Sequence, residues 1–263
     1  MFGDAVAYDR FMGRWSRLAA PLVLAFADVP RRGHILDAGS GTGSLAFAIA
    51  ECSPWARVSG IDPSQQYVAF AADRNPFPDR VRFEVGDARQ IHLGDASVDA
   101  ALSLLVFNFI PNPEKALSEL RRVIRPGGTL SAAVWDYGAG MRMLRAFWDA
   151  AVHIDPDAEK LDEKHMPLCR AGELAALWKQ GAMEDVREQP IDITMRFESF
   201  ADYWDPFLLG QGPAGSYLRR CNGDQLQSLR GEIRRRLPAS TEENTPIFLP
   251  ARMWVVRGVV PNR

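Results

Sequence analysis

The 263-residue chain is poor in the residues that staple or metallate small proteins. Its three cysteines, Cys52, Cys169 and Cys221, are scattered and show no C-x-x-C spacing, so neither a disulfide framework nor a zinc site is indicated. No metal is expected, and a reducing, cytoplasmic setting is. No run of about 18 apolar residues occurs, so no membrane-spanning helix is expected. The start, Met1-Phe2-Gly3-Asp4, lacks the basic region of a secretory leader. An excess of charge is missing too: 31 Lys and Arg against 33 Asp and Glu give a formal charge of -2. That balance offers no global attraction for a phosphate backbone and argues against a nucleic-acid partner. What remains, 47% hydrophobic and 24% charged residues, is a globular composition. The length suits one large domain or a domain with an elaborated cap.

The chain is organised around His34-Ile35-Leu36-Asp37-Ala38-Gly39-Ser40-Gly41-Thr42-Gly43-Ser44-Leu45-Ala46-Phe47-Ala48-Ile49-Ala50. An apolar segment ends in an acid, three glycines follow at alternate positions, and a periodic apolar segment begins; this reads as buried strand, tight turn and helix. Glycine supplies positive φ for so sharp a turn and lets a ligand approach the backbone. An ordinary tight βα turn without a ligand is the alternative. A dinucleotide fingerprint needs G-x-G-x-x-G, with pyrophosphate at the helix N-terminus. Here the third glycine comes one residue early, Ser44 stands where the fingerprint wants glycine, and Asp37 is ill-suited beside a pyrophosphate.

The stretch L-D-A-G-S-G-T-G resembles the first motif of class I S-adenosylmethionine-dependent methyltransferases. The resemblance implies that Asp37, Gly39, Ser40, Gly41 and Gly43 hold the methionine end of the cofactor, whose ammonium and sulfonium are cationic. A second strand, Ala56 to Pro63, ends in Asp62, and Ser64 opens a helix through Ala72. An acid about 20 residues beyond a glycine turn accepts from ribose hydroxyls in adenosine-binding α/β folds. Asp62 has that position; a plain helix N-terminal acid is the alternative. A third strand, Val81 to Ala88, ends in Gly86-Asp87-Ala88. By resemblance Asp87 and Ala88 read the adenine and Gln65 packs on the adenosine, with Pro63, Ser103 and Leu104 as further contacts. A turn-forming role for Asp87 is the competing reading.

Ser97 to Phe109 is a long apolar run that fits a central strand buried on both faces. Asn112, or the segment around it, caps a helix from Glu114 to Ile124, ended by Arg125-Pro126-Gly127-Gly128, and Thr129 to Trp135 follows as a strand. The pattern S-x-x-V-F-N-F-I-P-x-P, then L-x-E-L-x-R-V-I-R-P-G-G-x-L, is close to that of the ubiquinone/menaquinone-type, small-molecule branch of the family. Many relatives carry a histidine pair where this chain has Asn108-Phe109, so no acid/base role carries over there. No Asn-Pro-Pro-Tyr type signature for exocyclic amines of nucleic acid is present.

Ahead of the first strand, Tyr8 to Ser16 precedes an apolar helical segment from Leu18 to Asp28, interrupted by Pro21. An aromatic and basic N-terminal segment resembles the family's lid, which makes Tyr8 and Arg14 candidate cofactor or substrate contacts; Phe11 and Trp15, at i and i+4, read as core anchors. Further helices are expected over Gly138 to Asp155 and Arg170 to Gly181. A strand is expected over Met183 to Phe197 and a last one over Phe248 to Val260, with a mainly helical insertion between them. In the resembled branch such an insertion roofs the substrate pocket. Leu226, Leu229, Ile233 and Leu237 recur at helical spacing, so Arg219, Arg220, Arg230, Arg234, Arg235 and Arg236 fall mostly on a solvated face rather than forming an RNA patch.

Phe107, Asn108, Trp135, Trp204 and Phe207 are candidates for the substrate pocket, though each aromatic ring also reads as core. Asp136, Tyr137, Tyr8 and His153 are the unranked candidates for a base. His34 and His92 read as turn residues, and His165 lies in a loop. The expectation is thus an α/β fold: a doubly wound, seven-stranded, mostly parallel sheet whose last strand is antiparallel. It forms a single class I methyltransferase domain over 1–263, with an N-terminal helical lid at 1–30 and a helical cap at 198–246. The implied activity is transfer of methyl from S-adenosyl-L-methionine to a small-molecule acceptor, leaving S-adenosyl-L-homocysteine. Two competitors remain: a protein that binds these nucleotides without turnover, and a nicotinamide-dependent oxidoreductase.

Overall fold

The structure, a computed structural model, describes residues 4–238 and 245–262. Seven strands form one sheet: β1 (Arg32–Ala38), β2 (Trp55–Asp62), β3 (Val81–Val85), β4 (Val98–Leu104), β5 (Ile124–Trp135), β6 (Glu184–Phe197) and β7 (Ile247–Val259), in the order β3-β2-β1-β4-β5-β7-β6. The pairings β3–β2, β2–β1, β1–β4 and β4–β5 are parallel. β7 runs antiparallel to β5, with the Gly127 amide donating to Val260 at one end and the Asp136 amide to Arg252 at the other. Strand order reverses between β1 and β4, and in open α/β sheets that switch point opens a crevice at the carboxyl ends of the strands.

Residues Ile35 to Ala38 of β1 and Ala100 to Leu104 of β4 are buried without alternation, as parallel strands covered on both faces require. The helices are α1 (Ala5–Tyr8), α2 (Arg14–Ala27), α3 (Ser44–Cys52), α4 (Gln65–Asp73), α5 (Pro113–Val123), α6 (Arg142–Ile154), α7 (Glu173–Gln180), α8 (Phe200–Leu208), α9 (Gly212–Leu218) and α10 (Gly223–Arg236). Asn112 does cap α5: its Oδ1 accepts from the Lys115 amide at 3.1 Å, with Pro113 at the first helical position. Among the described residues no helix is long and apolar enough to cross a membrane.

Several local expectations shift. α2 runs unbroken through Pro21, which lies on the exposed face of the helix. The apolar run from Ser97 to Phe109 is strand only as far as Leu104. Leu105 takes a left-handed φ of 63°, its amide donating to Ala133 at 2.7 Å, and Phe107–Phe109 form a single 3-10 turn. β5 begins at Ile124, which pairs with Val98, and loops out before Thr129 pairs with Ala100. His34 is a β1 residue, not a turn residue, and its Nε2 lies 2.8 Å from Ser59 Oγ on β2.

The chain divides into two compact units. The first comprises Trp15–Val134, Pro167–Ile191 and Met253–Arg263; the second comprises Met1–Arg14, Trp135–Met166 and Asp192–Arg252. The second unit has an aromatic core in which Phe147 stacks on Phe207 at 4.8 Å, Phe11 meets Phe207 edge-on at 5.1 Å, and the buried Tyr203 hydroxyl donates to the Met143 carbonyl at 2.8 Å. The expected cap at 198–246 contains α8, α9 and α10; residues 239–244 lie outside the described residues, as do 1–3 of the expected lid. Leu229, Ile233 and Leu237 are buried, while Arg230, Arg235 and Arg236 are exposed.

Candidate functional site

The turn from β1 into α3 sits at the switch point. Gly39, Gly41 and Gly43 have φ of 81°, 52° and 91°, a region that side chains other than glycine enter at a cost. A Cβ at Gly39 would lie 2.6 Å from both Val106 methyl carbons, and one at Gly43 would lie 2.7 Å from the Phe47 ring. At Gly41 a Cβ would meet nothing within 4 Å, so this is the open side of the turn. The turn's amides are committed internally. Gly39 and Ser40 donate to the Ile61 carbonyl at 2.8 and 2.9 Å, Gly43 to Ser40 at 2.9 Å, and Gly41 to Asp62 Oδ2 at 3.0 Å. A phosphate cradle needs such amides free.

Two acids flank this turn, and their surroundings differ. The Asp62 carboxylate accepts from the Gly41 amide and, at 2.8 Å, from the Ser64 amide. Burial raises its pKa, with those two amides opposing. Asp37 is fully buried, and neither of its oxygens has a partner within hydrogen-bond geometry. Burial pushes its carboxyl up to about 8; the nearby Ala46 amide opposes this and the Asp62 charge adds to it. A buried, unpartnered carboxyl is costly unless something covers it, and a cation is the group that suits it. The residues present therefore fit a cationic ligand end and do not fit a pyrophosphate.

The first unit also holds the other residues expected along the nucleotide. Ser103 Oγ donates to the Ala38 carbonyl at 2.7 Å, tying β4 to β1 one residue before the turn, and Leu104 beside it is buried. Pro63 and Gln65 are exposed at the start of α4, which Ser64 caps. Asp87, half-exposed, pairs with Arg89, Nη2 to Oδ2 at 2.6 Å, and its Oδ1 accepts from the Arg89 amide. These bonds hold its pKa below the usual carboxylate range and make it a turn former. Ala88 is buried. Phe107 is core, 5.0 Å from Trp178. Asn108 is buried, yet both ends of its amide lack a hydrogen-bond partner.

The remaining candidates lie in the second unit. Arg14 forms a bidentate pair with Asp202, both bonds 2.9 Å, and its guanidinium lies 4.9 Å from the Phe197 ring. Tyr8, the last residue of α1, is half-buried. Asp136 accepts from the Ala139 amide at 3.1 Å in a turn, and Tyr137 is buried. His153 is exposed in a groove shared with Asp224, Gln227 and Arg235 of α10. Trp204 and Phe207 belong to the aromatic core, and Trp135 is buried with its indole N–H unpartnered among the described residues.

A family profile described as a methyltransferase domain matches residues 36–132. Residues 36–132 are thus similar to a methyltransferase domain. The matched stretch contains the glycine turn, Asp37, Asp62, Asp87 and Asn108, all in the first unit. The chain is 29% identical over 160 residues to a malonyl-[acyl-carrier protein] O-methyltransferase of Methylococcus capsulatus, covering 59% of this chain and 58% of that one. It is 39% identical over 118 residues to a demethylmenaquinone methyltransferase of Thermus thermophilus, covering 44% and 52%. The YcgJ protein of Bacillus subtilis shares the fold, with a TM-score of 0.60 at 16% identity over 94% of this chain and 99% of that one. The chain spans less than two thirds of the length of either curated relative.

Some of the side-chain pairing had no expectation in the sequence. The Asp87–Arg89 pair was within reach, because a D-x-R spacing puts both side chains on one turn. Nothing local signals the Arg14–Asp202 pair, whose members are 188 residues apart. The same holds for the buried group formed by Arg145, Asp162 and Glu163.

Proposed function

We propose that this chain binds S-adenosylmethionine at the carboxyl ends of β1, β2 and β3 and transfers its methyl group to a small-molecule acceptor by in-line displacement. One observation carries the reading: the Asp37 carboxyl is fully buried and unpartnered beside a glycine turn whose amides are already committed. That arrangement repels a pyrophosphate, which weighs against a nicotinamide dinucleotide, and it suits the ammonium and sulfonium of the methionine end. Gly41 provides the open face of the turn. Asp62 accepts from the ribose hydroxyls, with Pro63 and Gln65 alongside. Asp87 and Ala88 meet the adenine, Asp87 giving up part of its pairing with Arg89. The organisation into one domain with a lid at 1–30 and a cap at 198–246 belongs to the same proposal.

When bound, the sulfonium supplies an already activated methyl group, so what the protein contributes is alignment. Orientation of this kind is worth roughly 7–11 kcal/mol of barrier. An acceptor that must lose a proton needs a base. Among the candidates, Asp136 is held in a turn and His153 is exposed in a groove on α10. We therefore favour an acceptor whose nucleophilic atom is ionised at neutral pH, a class that includes the malonyl carboxylate named in one set of relatives. Asn108 is the residue proposed to orient it, a reading supported by its buried amide, whose nitrogen and oxygen both lack a partner.

The test is transfer of labelled methyl from S-adenosylmethionine to a malonyl thioester, a quinol and a primary amine in parallel. Label on the carboxylate, and less or none on the amine, is expected. Label on the amine alone would overturn the choice of acceptor. Tight cofactor binding with no transfer to any acceptor would favour a binding protein without turnover.

A further inference from the structure

The two acids at the switch point are unequal in a way that has a measurable consequence. Asp62 shares its charge with two amides, at 2.8 and 3.0 Å, and keeps a sliver of exposure. Asp37, on the adjacent strand, has no exposure and no partner within hydrogen-bond geometry, only the weaker influence of the nearby Ala46 amide. The Asp62 charge disfavours ionisation of Asp37, and of two buried carboxyls that repel each other the proton resides on the one with fewer donors. The groups facing Asp37 from each neighbouring element are few. β2 presents Asp62. β4's one titratable residue, Asp99, is at the strand's other end, bonded to Arg125 and the His34 amide. From α3, Glu51 and Cys52 lie at the far end of the helix, and the near end presents only the Ala46 amide. Among the described residues, no basic side chain is bonded to Asp37 or contributes to its pKa shift.

We propose that Asp37 is held as the neutral acid in the free protein, and that binding a cation-bearing ligand end at the glycine turn expels its proton to solvent. The inference rests on the reading of the site as one for S-adenosylmethionine. The step balances simply: the Asp37 O–H bond breaks, a buffer base takes the proton, and the carboxylate left behind faces the ligand's positive charge. Linkage makes the effect reciprocal. Lowering the pH refills the proton on Asp37 and weakens binding by about tenfold per pH unit, as one coupled proton requires. The ligand's own α-amino group titrates near 7.7–8.0, so working at about pH 6.5 or below keeps it charged throughout.

Calorimetric titration of the full chain with S-adenosylmethionine, in buffers of different ionisation enthalpy at about pH 6.5, reads the proton directly. About one proton released per ligand is expected. None is expected with 5′-methylthioadenosine, which lacks the amino-acid end, and none with S-adenosylmethionine on the isosteric variant Asp37→Asn. Binding by the wild-type chain without proton release would overturn the inference while leaving the cofactor assignment standing. The same proton release from Asp37→Asn, or from the nucleoside lacking the amino-acid end, would also overturn it. No binding at all by folded protein would overturn the cofactor assignment and the inference with it.

Discussion

Two groups of buried acids in this molecule obey the same physics with opposite outcomes. In the second unit, Arg145 grips Asp162 with two bonds of 2.6 and 2.7 Å and reaches Asp149 at 3.0 Å, while the Trp148 indole donates to Glu163 at 2.8 Å. Burial alone would raise Asp162, but the Arg145 bonds outweigh it and its pKa falls below the usual range. In the first unit, Asp37 is buried as deeply and has no charged partner, only the nearby Ala46 amide. Buried charge with an internal partner is scaffold; buried acid without one marks where a ligand supplies the missing half.

The largest expected effect tests the scaffold side. Arg145→Ala leaves Asp162 buried and uncompensated, and should cost about 3–5 kcal/mol in a denaturant melt. A loss below about 1 kcal/mol would mean that the cluster is no more than a surface-type ion pair. Asp37→Asn is its mirror image, expected to leave stability unchanged or higher because it removes an uncompensated acid.

Within the glycine turn the comparison sharpens. Gly39→Ala combines a φ of 81° with contact against Val106, and should cost roughly 2–3 kcal/mol of stability through strain and overpacking. Gly41→Ala meets open space, so its stability cost is about 1 kcal/mol, and its main effect is on ligand affinity. Equal effects of the two variants on both readouts would show that the turn has no ligand-facing side. Asp62→Ala should weaken S-adenosylmethionine binding by about 1–3 kcal/mol through lost charged hydrogen bonds. Unchanged affinity would remove the ribose role.

How much of this was legible in the sequence depends on how local the cause is. The glycine turn was readable because alternate glycines after an acid have few other uses, and all three do adopt positive φ. Asn112 and Ser64 act as caps, as expected from their places ahead of α5 and α4. His34 was misplaced because a histidine beside a glycine looks like a turn, whereas its partner, Ser59, lies on the neighbouring strand. The tail of the 97–109 run was misread because Leu105 enters a left-handed conformation that nothing in an apolar run announces. The bonds committing Arg14 to Asp202 and Arg145 to Asp162 depend on tertiary packing and carry no spacing signal. The lack of a partner for Asp37, on which the functional reading turns, becomes visible only once burial and geometry are known.

A pH-dependent effect concerns Glu163, whose carboxyl burial pushes up to about 7 against the Trp148 bond. From the ordinary glutamate value near 4.3 up to about 7, the folded chain keeps a proton that the unfolded chain has released. Raising the pH through that window therefore destabilises the fold, by up to about 1.4 kcal/mol per pH unit, and the loss stops above it. Glu163→Gln should flatten that slope in melts taken across the window. A slope identical to that of the wild type would place the titration elsewhere.

The most direct test of the central claim is equilibrium titration of the folded, ligand-free chain with S-adenosylmethionine and S-adenosylhomocysteine, beside a reduced nicotinamide dinucleotide. Saturable binding of both sulfur nucleotides, with none of the dinucleotide, is predicted from the unpartnered Asp37 and the committed amides of the turn. Binding of the dinucleotide instead, or of none of the three, would contradict the account.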